Sequence, residues 1–239
     1  MSTIKVPYRQ IRALYDDETI TVYQAYSAEI AIPAVKEQKL SASPAFKFTR
    51  MTWIKPSWCW MMCVRRTSGS LHPNGLSTRY RSGYSYKDPN QAHILAIKMR
   101  HSHFQHLLSC ASLSSSRGGC TAIDKSKPVR VQWDPERSPS LEALSYRSIQ
   151  IGISRELSER WVNDWIQSIE DVTDRARGLK EALQIVKVSL GSPGLDSEWE
   201  AELVERGLVP KETVYEVMEG IQVILGMVEE GKGGEGEGG

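Results

Sequence analysis

Apolar and polar residues alternate in three runs of the chain, and each run predicts a strand. Across residues 19–26, Ile20 and Val22 alternate with Thr21 and Tyr23, the period of a strand with one buried face. Across residues 129–133, Val129, Val131 and Trp133 alternate with Arg130 and Gln132. Across residues 146–153, Ile149, Ile151 and Ile153 share one face with Arg147 leading in, and Ser148, Gln150 and Gly152 share the other. One side of that strand feeds a core, and the small polar side can line a cleft. Residues 92–99 are apolar almost throughout and predict a buried strand.

Helical spacing appears between these runs. Ser27 can cap a helix whose Ile30, Ala31, Ala34 and Val35 share a face, and Pro33 predicts that this helix is short or starts near the proline. Ser57 can cap another carrying Trp58, Met61 and Met62, with Pro56 marking the break before it. Ser154 can cap one with Leu157, Trp161, Trp165 and Ile169 at intervals of four, and Thr173 can cap the next. Residues 134–137, Asp-Pro-Glu-Arg, predict a turn. From Asp174 onward the pattern is helical, including a last helix from Val214 to Val228, and the closing Gly/Glu run predicts disorder. The expected fold is α+β: a mixed, largely antiparallel sheet with flanking helices and a C-terminal helical extension. The expected divisions are a core at 1–175, the extension at 176–230 and the tail at 231–239.

Composition narrows the setting. No apolar run reaches the ~20 residues of a membrane span, and the N-terminus lacks the apolar stretch of a secretory signal, so an intracellular protein of the cytoplasm or nucleus is expected. The 4 Cys include no paired CxxC motif and read as free thiols. His93, His101, His103 and His106 read as surface histidines, and no metal is predicted. The net charge of +1 hides an asymmetry: 21 Lys and Arg stand against 10 Asp and Glu up to Gln150, and 9 against 19 after it. A basic first part suits a nucleotide or nucleic-acid ligand.

Candidate chemistry concentrates in residues 50–62, which hold three of the 7 Trp together with Arg50 and Lys55. Trp53, Trp58 and Trp60 offer π faces, the two cations can hold an anion, and a helix beginning after Ser57 would offer its N-terminus to the same anion. The expected site therefore takes a planar, negatively charged molecule. Arg81, in a second aromatic and cationic stretch, and Arg147 and Gln150 are expected to contribute. Glu136 and Glu170 are the candidate carboxylates for acid or base work. The C-terminal helices are expected to pack or to receive a protein partner.

These segments together resemble the family of domain of unknown function 4291, found in bacteria and fungi. The matching stretches are IRALYDDETITVYQAYS at residues 11–27, residues 50–62, YRSG at 80–83, VQWDPER at 131–137, YRSIQIG at 146–152 and SIEDVT at 168–173. The resemblance supplies no activity. In the family pattern the Trp-Met-Met of residues 60–62 runs almost directly into Tyr-Arg-Ser-Gly, whereas here residues 63–79 intervene and read as a late insertion of the retained-intron kind, in a fungal-type member. The order of parts also resembles the ADP-ribosyltransferase superfamily. That likeness implies NAD as cofactor, with Gln24, Arg50 and Arg81 holding it, Trp53 or Tyr26 stacking on nicotinamide, and Glu136 or Glu170 steadying the ribosyl cation. The alternative is a non-catalytic nucleic-acid or nucleotide-binding module built from the same aromatic and basic residues.

Overall fold

The computed structural model describes residues 6–62, 88–113, 124, 126–154, 156–190 and 197–227. The insertion at 63–79, Arg81 and the tail at 231–239 lie outside the described residues. The fold is α+β. Its elements in chain order are β1 (Arg12–Ala13), β2 (Thr19–Tyr26), α1 (Ala28–Glu37), β3 (Thr52–Ile54), α2 (Trp58–Met62), β4 (His93–Arg100), α3 (His101–Ser109), β5 (Ala111–Leu113), β6 (Val129–Arg137), β7 (Ala143–Ile153), α4 (Glu156–Arg160), β8 (Ile166–Asp171), α5 (Thr173–Leu190), α6 (Ser197–Glu205), β9 (Thr213–Val214) and α7 (Glu219–Ile224).

Two sheets carry the fold. Strands β2, β4 and β8 form an antiparallel sheet in that order, and β3, β7, β6 and β5 form a second, antiparallel apart from the β5–β6 pair. The alternation read from the sequence decides which faces are buried. Ile20, Val22, Leu95, Ile97 and Ile169 of the first sheet join Ile149, Ile151, Ile153, Val129, Val131 and Trp133 of the second in one core, closed by α1, α3 and α7. The other face of the first sheet packs Tyr23, Ile94 and Ala96 against Trp58, Met61 and the Ala176, Leu179 and Leu203 side chains of α5 and α6. Each such aliphatic side chain contributes about 1.5–3 kcal/mol on leaving water. The corresponding other face of the second sheet is polar, carrying Lys55, Ser148, Gln150, Gln132 and Asp134.

The chain departs from the sequence pattern at four places. Helix α1 runs through Pro33 to Glu37; the carbonyl that loses a donor to the proline belongs to the exposed first turn, where water can serve it. Residues 134–137 continue β6 instead of turning, with a bulge between Pro135 and Arg137. Strand β5 covers only residues 129–131 of β6, so Pro135 sits where β6 has a neighbour on one side alone and its missing N–H costs no ladder bond. Ile169 is not helical: α4 ends in a π-helical turn, Trp161–Trp165, and the chain enters β8 at Ile166. Ile169 reaches the core from a strand, and the spacing of four was blind to that difference. Just before α4, Ser154 donates its hydroxyl to the Pro128 carbonyl (3.0 Å), and residue 155 beside it lies outside the described residues. Finally, Val214 lies in β9, paired with β1, and the last helix spans only six residues.

Residues beyond Asp174 take part in both cores. Tyr215, Val217, Ile221 and Leu225 join the first, and Leu179, Ala182, Leu203 and Val209 join the second. The N-terminal segment meets the last one directly. Arg9 Nη1 donates to Gly226 O (2.6 Å), Trp133 Nε1 donates to Leu225 O (2.9 Å), and Tyr15 donates its hydroxyl to Val214 O (2.8 Å). Gly226, with φ +61°, lets α7 stop there, and a Cβ on it would lie 2.3 Å from Arg9 Nη1. No described helix is long and apolar enough to cross a membrane.

Candidate functional site

Among the described residues, one backbone bridge joins the two sheets. Tyr23 of β2 faces Lys55, just past β3, and the pair exchanges both backbone hydrogen bonds, Tyr23 N to Lys55 O at 2.7 Å and Lys55 N to Tyr23 O at 3.0 Å. Beyond this bridge the strands part. Gln24, Ala25 and Tyr26 pair outward with β4, while Thr52, Trp53 and Ile54 pair outward with β7. A cavity of about 250 Å³ opens between them. Its walls are Gln24 to Ser27 on one side, Arg50 to Trp53 and Lys55 on the other, with Ile30, Ala45, Phe46, Lys47, Met61, Asn90 and Gln91 completing it.

Three polar side chains of these walls, Lys55, Gln24 and Tyr26, are poorly satisfied among the described residues. Lys55 is only 3% exposed, and its ammonium lies 4.8 Å from the centroid of the Trp60 ring. It makes no side-chain hydrogen bond or ion pair among the described residues. Burial pulls it from the ordinary 10.5 to about 7, with the Asp134 carboxylate pulling weakly the other way. The Gln24 Oε1 and the Tyr26 hydroxyl are buried without a partner of good geometry, the latter beside Thr52. Burial pushes the Tyr26 hydroxyl up, so it stays protonated and remains a donor. Arg50 is exposed at the rim and its side chain has no partner among the described residues, whereas Lys47 donates to the Pro44 carbonyl (2.8 Å). Trp53 lies across from Gly152 in the ladder. A Cβ at Gly152 would stand 3.0 Å from the indole and 2.6 Å from Met51 Sδ, so glycine there is what lets both side chains lie against the sheet.

Behind Lys55, the polar face of the second sheet forms a network. Gln150 Nε2 donates to Gln132 Oε1 (2.6 Å) and to Asp134 Oδ2 (2.9 Å), and its Oε1 is buried without a partner. Gln150 thus stands behind the cavity wall. Asp134 and Gln132 were legible in the alternation of residues 129–133, had that strand been extended through Asp134.

Two carboxyl groups, Glu136 buried and Glu212 half-buried, meet at the start of α2. Glu136 is 3% exposed; its Oε1 accepts from Ser57 Oγ (2.8 Å) and from the Arg137 N–H (2.7 Å). Ser57 caps α2 as expected, its Oγ accepting from Trp60 N (3.2 Å). The anion at this helix start is the protein's own: Glu212 accepts from the Trp58 N–H at 2.6 Å. Burial pushes both carboxyls above the usual range, well above for Glu212, where Glu136 adds repulsion and Arg12 opposes it. A carboxyl raised by folding stabilises the fold below its unfolded value and loses that contribution as the pH rises through the folded one. Glu212→Gln keeps an acceptor for Trp58 and removes the half-buried charge. In urea titrations it should match the parent at pH 4 and exceed it at pH 8; an unchanged difference between the two pH values would refute this.

The remaining expected residues lie elsewhere. Trp58 is fully buried in the second core, edge-on to Tyr23, with Nε1 donating to Leu208 O (3.1 Å). Arg147 clamps the N-terminal segment to β7, its Nε donating to the Tyr8 hydroxyl (2.6 Å) and its Nη1 to Trp133 O (3.1 Å). Glu170 is exposed on β8 in the cross-strand row Lys55, Tyr23, Ala96, Glu170, three strand spacings and so about 14 Å from Lys55. The adjoining Asp171 holds Thr173 at the start of α5 and pairs with His93 Nδ1 (2.9 Å). Burial would raise it, but these hydrogen bonds outweigh that and hold it low. His103 and His106 pack on Trp165. Among the expected ligand-holding residues, then, Gln24, Tyr26, Arg50, Trp53 and Lys55 come together at the cavity. Glu136, Glu170, Arg147 and Gln150 are not on its walls. Phe46, Met51, Asn90 and Gln91 join it without any signal in the sequence that set them apart.

No curated protein matches the chain. The family model described as Domain of unknown function (DUF4291) matches residues 10–215, and the chain belongs to that family.

Proposed function

We propose that the cavity where the two sheets part binds a nucleotide-like anion, and that ADP-ribosyl transfer from NAD is the reaction class its parts most resemble. The observation that carries the reading is Lys55: an ammonium taken almost wholly out of water, on a ligand-sized wall, with no carboxylate in contact. An unpaired buried cation is costly unless something else compensates it, and a bound anion does so. Trp53 supplies a ring face, Gln24 and Tyr26 lie along the wall across from it, and Arg50 stands at the rim. The volume of about 250 Å³ falls just below the roughly 300–1,000 Å³ of drug-sized sites. That suits one ring and its substituents better than a polymer, and favours a free nucleotide over a nucleic-acid strand.

The described walls carry no carboxylate, so they support the binding step more directly than the transfer step, for which Glu170 or Glu136 would have to act from outside them. Calorimetric titration of NAD, ATP and a short RNA onto the full chain tests the reading. One of the nucleotides should bind with an affinity that falls roughly tenfold from pH 6 to pH 8, because a bound anion favours the charged form of Lys55. Nicotinamide release that is lost in Glu170→Gln or Glu136→Gln would support transfer. Saturable, salt-sensitive RNA binding without nucleotide binding would favour the nucleic-acid module instead.

A further inference from the structure

We propose that Lys55 is also a nucleophile, and that the cavity takes an anionic carbonyl compound, a phosphorylated aldose in its open-chain form, whose aldehyde condenses with the Lys55 amine to an imine. This rests on the reading of the cavity as an anion site and narrows it to a substrate class. The geometry has three parts. The backbone at Lys55 is pinned on both sides by the bridge to Tyr23, which fixes the direction from which Nζ approaches the cavity. The amine rests against the Trp60 ring and is held by no carboxylate, since the nearby Asp134 is engaged by Gln150. Arg50 waits at the rim for the phosphate. Burial, which pulls Lys55 from the ordinary 10.5 down to about 7, favours the free amine that such chemistry needs.

The step balances without an oxidant or reductant. The Nζ lone pair forms a C–N bond to the aldehyde carbon while the carbonyl π pair moves onto oxygen, and a solvent water carries one ammonium proton across to that oxygen. Hydronium then protonates the carbinolamine hydroxyl, and the C–O bond breaks as the nitrogen lone pair forms C=N, releasing water. The remaining iminium N–H proton returns to solvent, which replaces the one it gave. The product is a lysine imine and one water.

The test is reductive trapping on the full-length chain with cyanoborohydride at pH 7.5, using ribose 5-phosphate as the anionic probe and glyceraldehyde as the uncharged one, followed by peptide mass mapping. With ribose 5-phosphate the expected result is one adduct per chain on Lys55, at least tenfold above any other lysine and absent in Lys55→Arg. Arg50→Ala should lower that yield about tenfold with the phosphate and lower the glyceraldehyde yield by less, so that the ratio of the two yields falls. Adducts spread over exposed lysines such as Lys36 and Lys39, with Lys55 spared, overturn the proposal even if no variant folds. Nucleotide titration of the same wild-type sample separates the two readings. Affinity without a Lys55 adduct ends the nucleophile and leaves the anion site, whereas no affinity and no adduct end both.

Discussion

Lys55→Met should give a protein that is more stable at pH 6 and binds its anion at least tenfold more weakly. The wild-type lysine titrates near 7 in the fold and at an ordinary 10.5 when unfolded. A base whose folded value is depressed contributes stability above the unfolded value, and that contribution is lost as the pH falls through the folded one. Between pH 10.5 and pH 6 the wild type therefore gives up on the order of 5 kcal/mol at this one residue. Methionine fills similar space without a charge, so the variant should be the more stable by roughly 4 kcal/mol at pH 6, with the gap closing as the pH approaches 10. Both proteins carry Glu136 and Glu212, so the difference between their urea midpoints isolates Lys55. Parallel profiles across that range would mean that the ammonium is well solvated, and the site would lose its main support. Binding should weaken at least tenfold in the variant, since a charge-assisted contact is worth about 1.5–3 kcal/mol.

The second large effect separates two tryptophans five residues apart. Trp58→Ala should cost about 3–5 kcal/mol of stability, because its indole is fully buried between Tyr23 and the Leu208 carbonyl. It should change ligand affinity only to the extent that the protein unfolds. Trp53→Ala should cost about 1–2 kcal/mol of stability yet remove about 1–3 kcal/mol of binding, the worth of one ring stacked on an aromatic side chain. Chemical denaturation and nucleotide titration of both variants decide the matter. Equal losses of affinity in well-folded forms of the two would show that the wall is assigned to the wrong indole.

That pair also marks the reach of the sequence. The density of Trp and cations in residues 50–62 pointed to the right stretch, and Ser57 was read correctly as the cap of α2. What could not be read was the change of direction at Pro56 and Ser57. Up to Lys55 the chain is extended and Trp53 and Lys55 share a face; after Ser57 it is helical, and Trp58 turns into the core shared with α5 and α6. Neighbours in the chain thus part company over two residues. The alternation of residues 19–26 gave the bounds of β2 because each side chain there is packed on one face or the other. The alternation of residues 146–153 separated the core isoleucines from Ser148, Gln150 and Gly152 for the same reason. The proline-containing segment 134–137 misled because proline signals a turn unless the strand lies at an unpaired edge, and that edge depends on how short β5 is. Glu212 carried no local sign at all. Its partner is the backbone of Trp58, 154 residues earlier, and only the assembled fold brings them into contact.

The stitching of the two chain ends sets a practical boundary. An expression clone ending near residue 175 would strip the cover from Tyr23 and Trp58 and leave the Trp133 indole N–H and the Arg9 guanidinium without their acceptors. Bared aromatic surface of that kind promotes inclusion bodies. Shortening should therefore stop after Met227, and a purification tag sits better beyond that point than against Val6.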